Sequence, residues 1–304
     1  MDDHAPRLPA LVACLATILG GSAVVAARFA VSEIDPTTLA FLRHAGAGLL
    51  IVLLAAVIVQ RQVWRAIVGP DLPAILVLGA TQYAVFGWMF AAGLTYVPAG
   101  RGALALGTYP IQTLLLAALL GRERLTVAKL AGCLVALVGV AVALGDRVAA
   151  DGPEVWKGDA LLIAAAFLGS VYNVFSGPHL RRYSALAVTA VQMLVGVLLL
   201  LVGCWVVNGS VSTVGLSLNG WLALTWLVTI GGAVCFYLWI WALEHTVPSR
   251  VSIAVTLNPI AAALFGALIL AEPLTGRLAA GLIAVVAGLA LVNWPSRPAV
   301  AVPR

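Results

Sequence analysis

Charge is scarce in this chain, and negative charge is absent from the places where it would be most costly to hold. Only 10% of its 304 residues are charged and twelve are Asp or Glu. All twelve (Asp2, Asp3, Glu33, Asp35, Asp71, Glu123, Asp146, Asp151, Glu154, Asp159, Glu244 and Glu272) stand at the ends of apolar runs or between them. A carrier that binds its coupling ion on a buried carboxylate is therefore disfavoured. The sequence also lacks an HExxH pair, paired aspartates within an apolar run and a Ser/His/Asp set in register, so it offers no machinery for an enzyme. Cys14, Cys133, Cys204 and Cys235 all lie inside apolar runs. Their spacing fits neither a metal site nor a disulfide framework, and they read as small buried side chains. Nothing calls for a metal or any other cofactor. A pore would show a ring of charge or a filter loop, and neither is present.

What fills the chain instead is apolar. With 62% hydrophobic residues and a mean hydropathy of +1.08, a soluble class is excluded. Runs long enough to cross a bilayer fall at 8–30, 37–59, 72–92, 98–120 and 126–145, and again at 159–178, 184–207, 219–243, 249–271 and 275–294. Backbone amides in lipid must pair internally, and runs of Leu, Ala, Val and Gly without strict alternation select helices over a barrel. The expected fold is thus all-α and integral to the membrane, with ten transmembrane helices. The first run is too long for a signal core and reads as a retained helix. The net charge of +5 is spread over many loops, as orientation requires and nucleic acid does not. With the N-terminus in the cytoplasm, Arg7, Arg61, Arg65, Arg122, Arg124, Lys129, Arg181, Arg182, Arg250, Arg297 and Arg304 collect on that side. Arg28, Arg43, Arg101, Arg147, Lys157 and Arg277 fall on the other. The imbalance places both termini in the cytoplasm, with a bacterial inner membrane as the expected location.

The ten runs are two copies of five. Pro110, Glu123, Leu125, Thr126, Gly132 and Gly139 recur 149 positions on as Pro259, Glu272, Leu274, Thr275, Gly281 and Gly288. Val97-Pro98 answers to Val247-Pro248, and Gly21-Ser22 to Gly169-Ser170, each with a one-residue slip. The polar Gly- and Pro-punctuated stretch 145–154 joins the copies, dividing the chain into repeats 1–148 and 149–304. Five spans is an odd number, so the second copy must enter the membrane upside down. Inverted repeats can exchange conformations and open the space between them to each side in turn, which is how secondary transporters work.

The strings AGLTYVPAGRGALALGTYP and LLGRERLTVAKLAGCLVALVGV, with the second-copy strings ALEHTVPSRVSIAVTLNP and LILAEPLTGRLAAGLIAVVAGLAL, resemble the EamA-type repeat of the drug/metabolite transporter superfamily. Overall likeness and an aromatic-rich middle make the chain similar to the YddG-like amino-acid exporters. The resemblance implies ten helices, a central cavity between the halves, and export of aromatic or other neutral amino acids. A broader efflux carrier, a channel and a non-transport membrane protein stand as the alternatives. The partners expected are a small-molecule substrate and the lipid bilayer. The oligomeric state stays open, with a monomer compatible.

Candidate site residues follow from the repeat and from polarity at depth. Pro110 and Pro259 stand near the middle of their spans, where each removes an amide and frees the carbonyl four residues earlier, on Leu106 and Val255. They are the expected helix breaks or hinges. Thr108, Tyr109, Gln112, Thr256 and Asn258 flank the breaks, and Tyr109, Gln112 and Asn258 are candidate cavity residues. So are Tyr83 and Trp88 in the third run, Trp239 in the eighth, and Ser22, Ser170 and Asn173 around the Gly-Ser pairs. Arg43, roughly 10 Å along its helix from Pro36, either attracts a substrate carboxylate or pairs with Glu33 or Asp35. His44 could titrate beside it. Arg28 and Arg101 are expected to snorkel to the interface, and Glu123 and Glu272 to cap a helix or pair with basic residues. Gly132 with Gly139 and Gly281 with Gly288 each mark one helix face for close contact.

Overall fold

A computed structural model of the chain describes residues 7–97, 99–145, 152–213, 215–261, 264 and 276–293. Pro98, most of the inter-repeat stretch, Glu272, Leu274, Thr275, Arg297 and Arg304 lie outside the described residues. Among the described residues all regular structure is helical.

Local chemistry sets where the helices start and stop. Helix α1 (Arg7–Ala30) ends in a turn that leads to Asp35. Asp35 opens α2 (Pro36–Ile58) by accepting from the amides of Thr37 at 3.0 Å and Thr38 at 2.9 Å, with Pro36 in the first turn. Helix α3 (Leu72–Tyr96) is apolar throughout and carries a wide π-helical stretch over Ala80–Phe86. Helix α4 is broken: Ala99–Leu106, a turn at Gly107–Thr108, then Tyr109–Leu119. Thr126 caps α5 (Val127–Leu144), which stops at Gly145 with φ +48°. Helix α6 (Val155–Tyr183) contains Pro178, and α7 (Ala185–Asn208) ends at Gly209 in the left-handed region. Ser217 caps α8 (Leu218–His245), which carries its own π-helical stretch over Thr229–Val234. Helix α9 begins as Pro248–Ser252, tightens to a 3-10 turn over Ile253–Leu257 and resumes at Asn258. Helix α10 is Gly276–Asn293.

Among the described residues six helices are long and apolar enough to cross a membrane: Leu8–Ala30, Pro36–Ile58, Leu72–Tyr96, Val155–Tyr183, Ala185–Asn208 and Leu218–His245. Three shorter apolar helices, Leu104–Leu119, Val127–Ala143 and Ala279–Asn293, accompany them. Within the span expected at 98–120, which carries the expected break at Pro110, the helix is interrupted at Gly107–Thr108. Proline is tolerated within the first helical turn and not in mid-helix, so the helix restarts just before Pro110 instead of bending through it. The outer surface is apolar, with Val57, Leu119, Val127 and Val206 each more than three-quarters exposed. Such a surface suits lipid and no aqueous solvent. This is a multi-pass membrane protein.

Helices pack across the middle of the chain. The most intimate pair is α5 with α10, while α1 lies against α8, α3 against α6 and α2 against α7. Four glycines set the first contact. A Cβ on Gly132 would meet Val292 at 2.7 Å, one on Gly139 would meet Ala284 at 2.8 Å, and one on Gly288 would meet the Gly132 carbonyl at 2.5 Å. Gly281 is packed as tightly against Ala143. Small residues let backbones approach in a solvent that gives helices no hydrophobic reason to associate.

Polar ties join the two halves at the helix ends. The Glu123 carboxylate accepts from the Ser249 amide at 3.0 Å and from the Ser249 hydroxyl, and pairs with Lys129 at 2.7 Å. Pro178 leaves the Val174 carbonyl without its helical donor, and Arg122 donates to that carbonyl while lying over the Phe175 ring. Arg101, expected to snorkel, instead makes a forked pair with Asp159 at 2.8 and 2.7 Å.

Candidate functional site

A cavity of about 150 Å³ lies between the halves. Five pairs of positions, each pair 149 residues apart, both contribute to its wall: Gln82 and Gly231, Phe86 and Cys235, Phe90 and Trp239, Leu106 and Val255, Tyr109 and Asn258. The cavity is thus lined by equivalent parts of the two copies. What breaks the equivalence is α1, through Thr17 and Gly20, and above all Arg43 of α2.

Arg43 is held from several sides. Its Nη2 donates to the Gly231 carbonyl at 2.9 Å, and its guanidinium lies 5.8 Å from the Phe90 ring centre and 5.6 Å from that of Phe236. The π-helical stretch of α8 supplies that carbonyl. In a regular α-helix the Cys235 amide would bond Gly231, but here it donates to Ile230 and Gly232, leaving the Gly231 oxygen for Arg43. Neither expected carboxylate partner is in place. Glu33 accepts from the Ser217 amide at 2.9 Å and hydroxyl at 2.7 Å, while Asp35 caps α2 and accepts from Asn208. No ion pair to Arg43 occurs among the described residues, and its Nε, shielded from solvent, has no acceptor. Gln82 Oε1 and Asn258 Oδ1 are likewise shielded and unpaired at the same wall. The rest of the wall is aromatic and aliphatic. A cation donor, two amide groups and apolar rings around one small space are the elements of a site for a small solute with polar and apolar ends.

The other sequence candidates distribute unevenly. Tyr109, Trp239 and Asn258 line the cavity. Pro110 and Pro259 are buried just beyond it, where broken helices resume. Tyr83 is buried behind the wall, its hydroxyl 3.5 Å from that of Tyr172 and its ring edge-on to Phe236. Asn173 accepts from Trp239 Nε1 at 3.1 Å, so it supports the wall from outside. Ser170 takes a hydrogen bond from Thr113 at 3.0 Å, and Gln112 donates to Thr108 at 2.9 Å. His44 bonds the Ala40 carbonyl at 2.8 Å and stacks on Phe236, packed against Gly87. Ser22 and Trp88 do not line this cavity. Ser22 accepts from Trp226 at the α1–α8 seam, and Trp88 is 40% exposed on the outer surface. Gln82 was missed as a site residue, although Gln82, Phe86 and Phe90 recur every four residues and so share a helix face.

A helical membrane protein whose two halves wall one central cavity belongs structurally among membrane carriers. The profile of the EamA-like transporter family matches residues 7–145 and again 156–294, and the chain belongs to that family. An uncharacterized transporter of Archaeoglobus fulgidus is 27% identical over 282 residues, covering 93% of this chain and 97% of its own length. A probable amino-acid metabolite efflux pump of Escherichia coli is 27% identical over 294 residues, at 93% and 94% coverage. A probable terminal-alkyne amino-acid exporter of Streptantibioticus cattleyicolor is 36% identical over 132 residues, 43% of each chain. A crystal structure at 23% identity superimposes with a TM-score of 0.77 over 94% of this chain and shares its fold.

Proposed function

We propose that the protein is a secondary transporter that exports small zwitterionic metabolites, amino acids with apolar side chains above all. It would work by alternating access at the cavity between two inverted five-helix repeats, residues 1–148 and 149–304. The observation that carries this reading is Arg43, a guanidinium at the cavity wall with a shielded, unpaired Nε and no carboxylate beside it among the described residues. A solute carboxylate supplies the missing acceptor by a charge-assisted hydrogen bond. The amide oxygens of Gln82 and Asn258 suit the ammonium, and Phe86, Phe90, Phe236 and Trp239 suit an apolar side chain. Relatives named as amino-acid exporters and efflux pumps support the same substrate class. The pairing of α2 with α7 and α5 with α10, and the five equivalent pairs at the wall, support the inverted symmetry.

The purified protein in proteoliposomes is expected to show saturable, stereoselective flux of leucine or phenylalanine and none of the corresponding decarboxylated amines. Arg43→Gln is expected to lower the apparent affinity by about tenfold or more, the worth of one charge-assisted hydrogen bond. Equal transport of the amine and the amino acid, or normal transport by Arg43→Gln, would overturn the assignment.

A further inference from the structure

Three pairs of described elements share one register. Pro36 and Ala185 open α2 and α7, Ala80 and Thr229 open the π-helical stretches, and Val127 and Gly276 open α5 and α10, each pair 149 positions apart. In that register Arg43 answers to Gln192. Arg43 lines the cavity and Gln192 does not: it is wholly buried in α7, its Oε1 accepting from the Tyr172 hydroxyl at 2.9 Å and its Nε2 unpaired. Around it, Asn173 Nδ2 on α6 is also wholly buried and unpaired, and the wholly buried hydroxyls of Thr189 on α7 and Ser176 on α6 lie against that of Tyr172. The partition between this cluster and the cavity is Trp239, which lines the cavity and donates its Nε1 to Asn173.

A buried polar atom without a partner is destabilising, and an apolar residue of the same shape would serve packing better. Two such atoms, on Gln192 and Asn173, with two hydroxyls beside them at the position that the internal repeat makes equivalent to Arg43, suit a polar occupant. We propose that Gln192, Thr189, Ser176 and Asn173 form a second, charge-free site for the solute carboxylate. It is closed behind Trp239 in the present conformation and lines the path when that path opens on the opposite face. The proposal rests on the reading of the cavity as a zwitterion transport site. It adds that the solute is captured against a cation on one face and handed to neutral N–H and O–H donors on the other. Such an exchange weakens its hold where it leaves.

Native Cys235 lines the cavity, and Thr189 lies in the second cluster, so thiol chemistry separates the two sites. The full chain carrying T189C, or S176C should the first variant be unstable, is reconstituted in one orientation. It is treated from either face with a membrane-impermeant methanethiosulfonate, and occupancy at each cysteine is read by mass spectrometry with and without leucine. The expected result is that Cys235 reacts from one face and the introduced thiol from the other, faster when leucine is being transported. Gln192→Leu is expected to slow leucine transport by about tenfold, the worth of one lost hydrogen bond, with an unfolding midpoint equal to or above that of the parent. If leucine is transported and shields Cys235 but the introduced thiol stays unreactive from both faces, the second site does not exist. Transport at the parental rate by Gln192→Leu would also dismiss it. Failure of leucine to be transported and to shield Cys235 would overturn the reading of the cavity itself, and this proposal with it.

Discussion

Arg43 is fixed by a carbonyl and two rings, and those contacts demand a planar, delocalised cation. Lysine would keep the charge and lose the fork, so Arg43→Lys is expected to raise the half-saturation concentration about threefold, against about tenfold for Arg43→Gln, as read by initial rates of flux. Tyr109 is placed with equal strictness, because its ring leaves no room for a side chain on Gly169. Gly169→Ala is expected to cost about 1–3 kcal/mol of stability by overpacking and to push the Tyr109 ring into the cavity; thermal unfolding in detergent and flux together check both effects. At this scale the sequence was only half legible. Charge at depth and the repeated prolines singled out Arg43, Tyr109 and Asn258, but periodicity alone did not say which face of α3 turns inward. Trp88 lies two residues from both Phe86 and Phe90, on the far side of the helix they share, and only packing reveals which side meets lipid.

Helix ends and helix contacts were easier to read than helix irregularities. Thr126 and the four glycines behave as their residue types suggest, since capping and close approach are local demands. The π-helical stretches in α3 and α8 have no such marker, and a run of apolar residues reads the same with or without one wide turn. Asp35 illustrates the local kind. Burial alone would raise its pKa, but hydrogen bonds from Thr38, Asn208 and Thr37 hold the carboxylate below its ordinary range. Its contribution is therefore fully present at neutral pH, and is lost as pH falls through the lowered folded-state value, below about 4. Asp35→Ala is expected to cost about 1 kcal/mol, with Asp35→Asn nearly neutral because asparagine also caps. Denaturation midpoints at neutral pH give the comparison.

On the scale of the whole molecule, the cavity wall among the described residues holds a cation, two amides and no carboxylate. On the proposed reading the solute travels without a bound proton or sodium ion. Initial rates in proteoliposomes are expected to be equal with and without an imposed pH or sodium gradient, and a steep dependence on either would contradict this. The repeat, the apolar surface and the central position of the site were legible because they depend on composition and periodicity summed over long stretches. The asymmetry between α2 and α7 was not, because it turns on how a few residues meet their neighbours.

The matched π-helical stretches say something about ancestry. A π-helical turn holds one residue more than the α-helical turn it replaces, and a residue inserted into one half alone would shift its register against the other. Ala80–Phe86 and Thr229–Val234 begin 149 positions apart, as do Pro36 and Ala185 before them and Phe90 and Trp239 after them. The irregularity that now frees a carbonyl for Arg43 has a counterpart in the other half, as expected if it predates a duplication. Half-length descendants of the unduplicated ancestor should carry the same wide turn.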